Sequence, residues 1–249
     1  MLIRITNIIC CILFCANVCG QNKFSGKVLN GKTSAPVSGA SVYFNNTSIG
    51  TLTNDNGEFF IPNAINGEVI ISSVGFERII HKLNVNEING KSYTFKLIEK
   101  ETTLQDVLIL PDATRKRYLK LFTDNFLGLT EEAEKSSISN LSVLNFASAG
   151  EKNAFKAFSD TPLTIINKRL GYTIYFDLVE FYMNEATGLT SFYGYTRYQE
   201  MGDKKRWTKN RKKAYFGSTL HFYRSLINYK LKEENFAIYI IKSDSLNQN

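Results

Sequence analysis

Between residues 22 and 98, apolar and polar residues alternate in short runs, the period of half-buried β-strands. Phe24, Gly26 and Val28 begin one strand, and Val42 and Phe44 another. Phe59 and Ile61 point to one side of a third. Val69, Ile71 and residues 74–76 supply a fourth, in which Gly75 is expected as a bulge or close-approach point, and residues 78–85 and 92–98 two more. The runs are separated by Asn30-Gly31-Lys32, residues 36–39, residues 54–57 and Asn66-Gly67. Asn and Asp side chains close local hydrogen bonds to the backbone, and Gly accepts positive φ, so these are turns.

The period changes after residue 110. Pro111 ends a linker, and Asp112 is expected to cap a helix whose apolar positions Tyr118, Leu119, Phe122 and Phe126 recur at helical spacing, with Gly128 as the stop. Residues 130–134 predict a short acidic turn of helix. Ile138, Leu141, Val143 and Leu144 then lead into aromatic and β-branched runs at 163–169, 172–183 and 189–199. Apolar residues on both faces of 172–183 predict a central, covered strand. Its two carboxylates, Asp177 and Glu180, are expected on opposite faces because their spacing is odd. Residues 214–232 predict one long helix with two apolar stripes, Phe216, Leu220, Tyr223, Ile227 and Leu231 on one and Tyr215, Phe222, Leu226 and Tyr229 on the other, hence a largely buried helix. A last strand is expected at 236–242, then a polar tail at 243–249. The pattern divides the chain into an all-β unit at 21–100, a linker at 101–112, and an α+β domain at 113–242 with an antiparallel sheet and a long C-terminal helix.

The first twenty of the 249 residues stand apart: Arg4, an apolar run from Ile8 to Val18, and a small-residue exit at Val18-Cys19-Gly20. This is the layout of a secretory signal peptide, with Gln21 first after cleavage. The apolar run is too short to span a bilayer, which needs about 20 residues. All four cysteines, Cys10, Cys11, Cys15 and Cys19, lie within it, so the remaining chain has no thiol for disulfide, metal or nucleophile chemistry. Cys19 as a lipid-attachment site fits poorly with Val18 and Ala16 before it. Charge is also divided unevenly. Residues 21–110 hold eight basic and eight acidic residues, whereas residues 111–249 hold 21 basic and 15 acidic, so the net positive charge belongs to the second half. In an exported chain that excess favours anionic glycans, lipid headgroups or acidic proteins over nucleic acid.

The motifs G26-x-V28, P36-V37-x-G39-A40-x-V42, G50-T51-x-T53-N54-D55-x-G57-x-F59 and S73-V74-G75-F76 resemble the carboxypeptidase regulatory-like family. The resemblance implies an N-terminal transthyretin-like (prealbumin-like) β-sandwich over about residues 23–98. Such a module accompanies metallocarboxypeptidase domains and the N-termini of envelope proteins and TonB-dependent receptors of Gram-negative bacteria, with no catalytic residue of its own. Residues 104–109 are similar to the acidic-apolar segment that follows it in those receptors, where it can contact an energy-transducing partner; here a last strand or linker is the favoured reading. The carboxypeptidase zinc site is not expected, because beyond the leader the chain has two histidines, His81 and His221, and neither lies in a His-x-x-Glu arrangement. No phosphate-binding glycine loop, metal cluster or internal repeat occurs, and no cofactor is expected.

Two candidate sites remain. The first is the run KKRWTKNRKK, with Lys204, Lys205, Arg206, Lys209, Arg211, Lys212 and Lys213 around Trp207. Cations with an aromatic between them can hold anionic groups and stack a sugar ring, and a hydrated helix start or loop has the same composition. The second is the polar line Ser218, His221, Ser225 and Asn228, with Arg224 one step aside. His221, Arg224 and a carboxylate such as Asp177 are the catalytic candidates. Mid-helix serines and the absence of Gly-x-Ser-x-Gly favour a structural, hydrogen-bonded line instead. The expected function is that of a non-enzymatic exported envelope protein, in the periplasm, associated peripherally with the outer membrane or at the cell surface. It would bind an envelope protein or anionic glycan through residues 204–213, with no nucleic acid. The alternative is an envelope hydrolase acting on glycan or peptide through the second domain.

Overall fold

The computed structural model describes residues 22–88, 90–100, 110–128 and 130–239; the expected signal peptide at 1–20, the segment 104–109 and the polar tail lie outside them. Seven strands form the N-terminal unit. β1 (Phe24–Asn30) lies between β4 (Glu58–Ile61), antiparallel, and β7 (Ser92–Leu97), parallel. The second sheet runs β3 (Gly50–Leu52), β2 (Ser41–Phe44), β5 (Gly67–Ser72), β6 (Ile79–Leu83). Both sheets contribute to one core: Phe24, Val28, Phe59, Ile61, Phe95 and Leu97 from the first, and Val42, Phe44, Val69, Ile71 and Leu83 from the second. These are the alternate positions of each strand, as period 2 demands. Residues 74–76 depart from expectation. β5 ends at Ser72, and Gly75 occupies a turn with φ 84° rather than a bulge.

The second unit is mixed. Helix α1 (Asp112–Leu127) starts after Pro111, which takes the cap position expected for Asp112, and stops at Gly128. Helix α2 (Glu131–Glu134) is capped by the Thr130 hydroxyl, which accepts from the Ala133 amide. Six strands follow: β8 (Ser136–Ile138), β9 (Asn145–Ser148), β10 (Ala154–Phe158), β11 (Leu163–Asn167), β12 (Tyr172–Asn184) and β13 (Thr190–Glu200). All are antiparallel in one sheet, with β12 central: β13 lies on one edge, and β11 and β10 share the other. The expected central strand is therefore present. Phe122 of α1 is fully buried against this sheet, with its ring 4.7 Å from Phe181 and 5.0 Å from Phe126.

A β-bulge between Leu178 and Glu180 changes the face assignment in β12. Before it Phe176 and Leu178 point to the α1 side; after it Phe181 and Met183 do. The extra residue shifts the alternation by one. Asp177 and Glu180 thus share the opposite face, correcting the expectation from spacing alone. They part company in their contacts: exposed Glu180 pairs with Lys156 at 2.6 Å, whereas Asp177 is buried.

The expected single helix over 214–232 is two shorter ones. α3 (Lys205–Tyr215) takes in the basic run, and α4 (Thr219–Ile227) follows a break at Gly217, whose φ of 80° an α-helix does not admit. Residues 236–239 carry no strand, and the remainder of the one expected at 236–242 lies outside the described residues.

The two units meet along β13 and the turn after β2. Asn46 donates its amide to the Thr196 carbonyl at 2.8 Å, Tyr198 donates to the Thr47 carbonyl at 2.9 Å, and the Thr196 amide donates to Asn45 Oδ1 at 3.1 Å. The free edge of the six-stranded sheet is covered there by backbone of the other unit, which removes an open template for strand pairing. Beside this seam Tyr43, Ile70 and Tyr195 form a small buried cluster.

Candidate functional site

Helix α3 is seated on the turn between β11 and β12. Trp207 is 5% exposed, and its Nε1 donates to the Lys168 carbonyl at 3.1 Å. Gly171 lies under the ring: a Cβ there would come within 2.2 Å of it, and its φ of 71° also requires glycine. Asn210 donates to the Arg169 carbonyl at 2.8 Å. Arg211 donates to the carbonyls of Leu170 and Gly171, pairs with Glu200 at 3.1 Å, and lies 3.8 Å over the Tyr172 ring.

Residues 207, 210 and 211 therefore form the inward face of α3. Trp207 is an anchor and offers no ring to a ligand, and Arg211 is committed to backbone acceptors. Of the eight candidate binding residues, Trp207 and Arg211 are thus engaged within the fold. Lys204, Lys205, Arg206, Lys209, Lys212 and Lys213 all face solvent. Lys204 lies 4.8 Å over the Trp207 ring, and Lys213 approaches Glu131 at 3.8 Å; Lys205, Lys209 and Lys212 have no ion pair among the described residues.

The second candidate is assembled differently from a catalytic pair. Ser218 is the N-cap of α4, its hydroxyl accepting from the His221 amide at 3.2 Å. His221 is 5% exposed and enclosed by Tyr215, Phe216 and Phe236. Its Nδ1 accepts the Gly217 amide at 3.1 Å, which leaves the proton on Nε2, directed at Glu234 Oε2 at 3.0 Å. The Ser225 hydroxyl donates back to the His221 carbonyl at 2.8 Å, and Asn228 donates to the Arg224 carbonyl at 2.7 Å. Every member of the polar line has a structural bond. Arg224 is exposed, 5.6 Å over the Tyr215 ring.

Asp177 belongs to the seam between the units, so the three catalytic candidates are not brought together. Its Oδ2 accepts from the Tyr43 hydroxyl at 2.6 Å and the Ser72 hydroxyl at 3.4 Å. Burial, then the Asp177 charge and hydrogen bond, push the Tyr43 hydroxyl far above its ordinary pKa. Tyr195 shares a 2.6 Å hydrogen bond with Tyr193 and is pushed up to about 12, first by burial and then by that bond. Arg78 stands 5.5 Å over the Tyr195 ring, with a buried Nη1 that has no partner among the described residues. A cavity of about 90 Å³ here is lined by Ser41, Ser72, Ser73, Arg78, Lys100 and Asp177 among others. Sequence reasoning missed Tyr43, Arg78 and Tyr195, since nothing local distinguishes a seam tyrosine from a core one.

His81 sits on edge strand β6, its ring 5.5 Å from Tyr93 and 5.4 Å from Phe95, an aromatic rather than a metal environment. Among the described residues no group of three metal-ligating side chains converges, and no helix is long and apolar enough to cross a membrane.

Residues 24–109 match the family profile of the CarboxypepD_reg-like domain, so the N-terminal unit is a CarboxypepD_reg-like domain. No curated protein matches the chain. Among solved structures, one similar chain is a protein from Bacteroides fragilis NCTC 9343, described as a candidate membrane-associated protein of unknown function. The two are 11% identical with a TM-score of 0.25, and the match covers 63% of this chain and 64% of that one, less than two thirds of its length. A likeness at that level carries no argument about function.

Proposed function

We propose that the protein is a non-enzymatic, exported envelope protein in which the CarboxypepD_reg-like domain, read as a transthyretin-like sandwich, is a docking and stabilising platform. The second domain binds an anionic glycan or an acidic protein surface through the outer face of α3. The observation that carries this reading is the split of the basic run: residues 207, 210 and 211 fix the helix, and the remaining cations project into solvent on a rigid support. A merely solvated charge run has no need of such an anchor. The hydrogen bonding of His221, Ser218 and Ser225 supports a structural role for the polar line.

The test is charge reversal at Lys205, Lys209 and Lys212 together, compared with wild type for retention on immobilised dextran sulfate and for crosslinking to envelope extracts. Loss of both is expected, with salt elution of the wild type. Unchanged retention would sink the reading.

A further inference from the structure

Helix α4 is amphipathic in the inverted sense. Its inward residues, His221 and Ser225, are polar, at 5% and 4% exposure. Its outward stripe is apolar: Phe216 just before the helix, then Leu220, Tyr223 and Ile227, at 62%, 54%, 54% and 73% exposure. Leu220, Tyr223 and Ile227 recur at spacings of three and four, one line along the helix, and Phe216 stands exposed before the break at Gly217 that precedes it. Leu226 and Tyr229 widen the patch. Both stripes were expected to be buried, and this one is left open. A helix that satisfies its polar groups inside and turns four large apolar side chains outward has its hydrophobic face made for something else.

What covers it is indicated by charge. From residue 204 to residue 232 the chain carries ten cations, Arg224, Lys230 and Lys232 on or beside α4 and seven in the preceding run, with no Asp or Glu. All but Arg211 among these ten are exposed. A soluble anionic glycan, or an acidic protein surface without an apolar patch, would answer the cations of α3 and leave the apolar line of α4 unmatched. An anionic bilayer surface matches both, because its headgroups face the lysines while the acyl boundary receives Leu, Ile, Phe and Tyr side chains.

We propose that α4 and the exposed face of α3 form a peripheral membrane-binding surface, with the stripe from Phe216 to Ile227 lying in the interface of an anionic bilayer. This deepens the anion-binding reading above and rests on it.

The experiment is co-sedimentation of the full chain with vesicles of phosphatidylcholine containing one quarter phosphatidylglycerol, against pure phosphatidylcholine. A parallel arm measures retention on dextran sulfate, an anion without an apolar phase. Three proteins are compared: wild type, Leu220→Ser/Ile227→Ser, and Lys205→Glu/Lys209→Glu/Lys212→Glu. Because all five positions are exposed, far-UV circular dichroism is expected to be unchanged. Wild type should partition at least tenfold more strongly to the anionic vesicles. The apolar variant should lose at least tenfold of that and keep its dextran sulfate retention, whereas the charge variant should lose both.

A separate Leu220→Trp variant should show a blue-shifted emission component on anionic vesicles alone. Vesicle binding that is absent in the wild type, or unchanged in the apolar variant, would overturn the membrane proposal while intact dextran sulfate retention preserves the anion-binding face. Retention unaffected by charge reversal would overturn both.

Discussion

Tyr43 and Asp177 are 134 positions apart in the chain and 2.6 Å apart in space. A buried carboxylate is tolerable only when its oxygens are hydrogen-bonded, and here the phenol supplies the short bond and Ser72 the longer one at 3.4 Å. Tyr43→Phe removes that donor without altering the ring's packing. It should lower unfolding free energy by about 1.5–3 kcal/mol, the range for a hydrogen bond to a charged group, measured by urea denaturation at neutral pH. A loss below about 0.5 kcal/mol would mean the seam is wet.

The same residues set an alkaline limit. Tyr43 and Tyr195 have folded pKa values raised above that of the unfolded chain, near 10, so the native state holds their protons longer. Their contribution is complete below pH 10 and is lost as pH rises from there through about 12, where Tyr195 titrates. Denaturation midpoints should therefore be level from pH 7 to 9.5 and fall steeply above 10. The fall should be shallower in Tyr43→Phe, and absorbance at 295 nm should show a tyrosine fraction that ionises only with unfolding.

Among the elements, α3 is held by a steric key. The chain's single tryptophan, Trp207, lies on the surface left bare by Gly171, so any side chain there must displace the indole. Gly171→Ala combines overpacking with a disfavoured positive φ and should cost about 1–3 kcal/mol. Because no other tryptophan emits, a red shift of intrinsic fluorescence reports undocking directly. An unshifted spectrum would show that α3 is held chiefly by Arg211. Helix α4 has no comparable anchor into the sheet. Its Ser218 cap, the His221–Glu234 contact and the rings around it form a local knot, which leaves its outer stripe free for a partner.

Across the whole molecule, the CarboxypepD_reg-like domain and the six-stranded sheet share backbone hydrogen bonds and a buried cluster, so they should unfold as one unit. Calorimetry is expected to give a single transition for the wild type. Asp177→Ala leaves the Tyr43 hydroxyl without its acceptor and weakens the seam from within; it should broaden or split the transition while the core positions of each unit are untouched. Two transitions already present in the wild type would contradict this coupling. The exposed Lys100–Asp160 pair across the same seam should matter far less, at most about 1 kcal/mol.

Most strands and the helix at 112–127 were legible because period and turn chemistry are local properties: Phe59 with Ile61, or Tyr118 with Phe122, announce their face through their immediate neighbours. The same locality explains what was not. The bulge at residues 178–180 is a matter of pairing with β13, and no feature of β12 taken by itself requires it. The break at Gly217 lay within a run that reads as helix throughout, and β10 was invisible in a stretch of weak alternation. Of the site, the sequence by itself determined the presence of a dense basic run and its neighbouring apolar stripes. Only the tertiary structure decided which cations are anchors and which are free, and that the stripe containing Leu220 and Ile227 faces outward while His221 faces in. Periodicity specifies that a helix has two faces, but the surface it docks against selects the one that is buried.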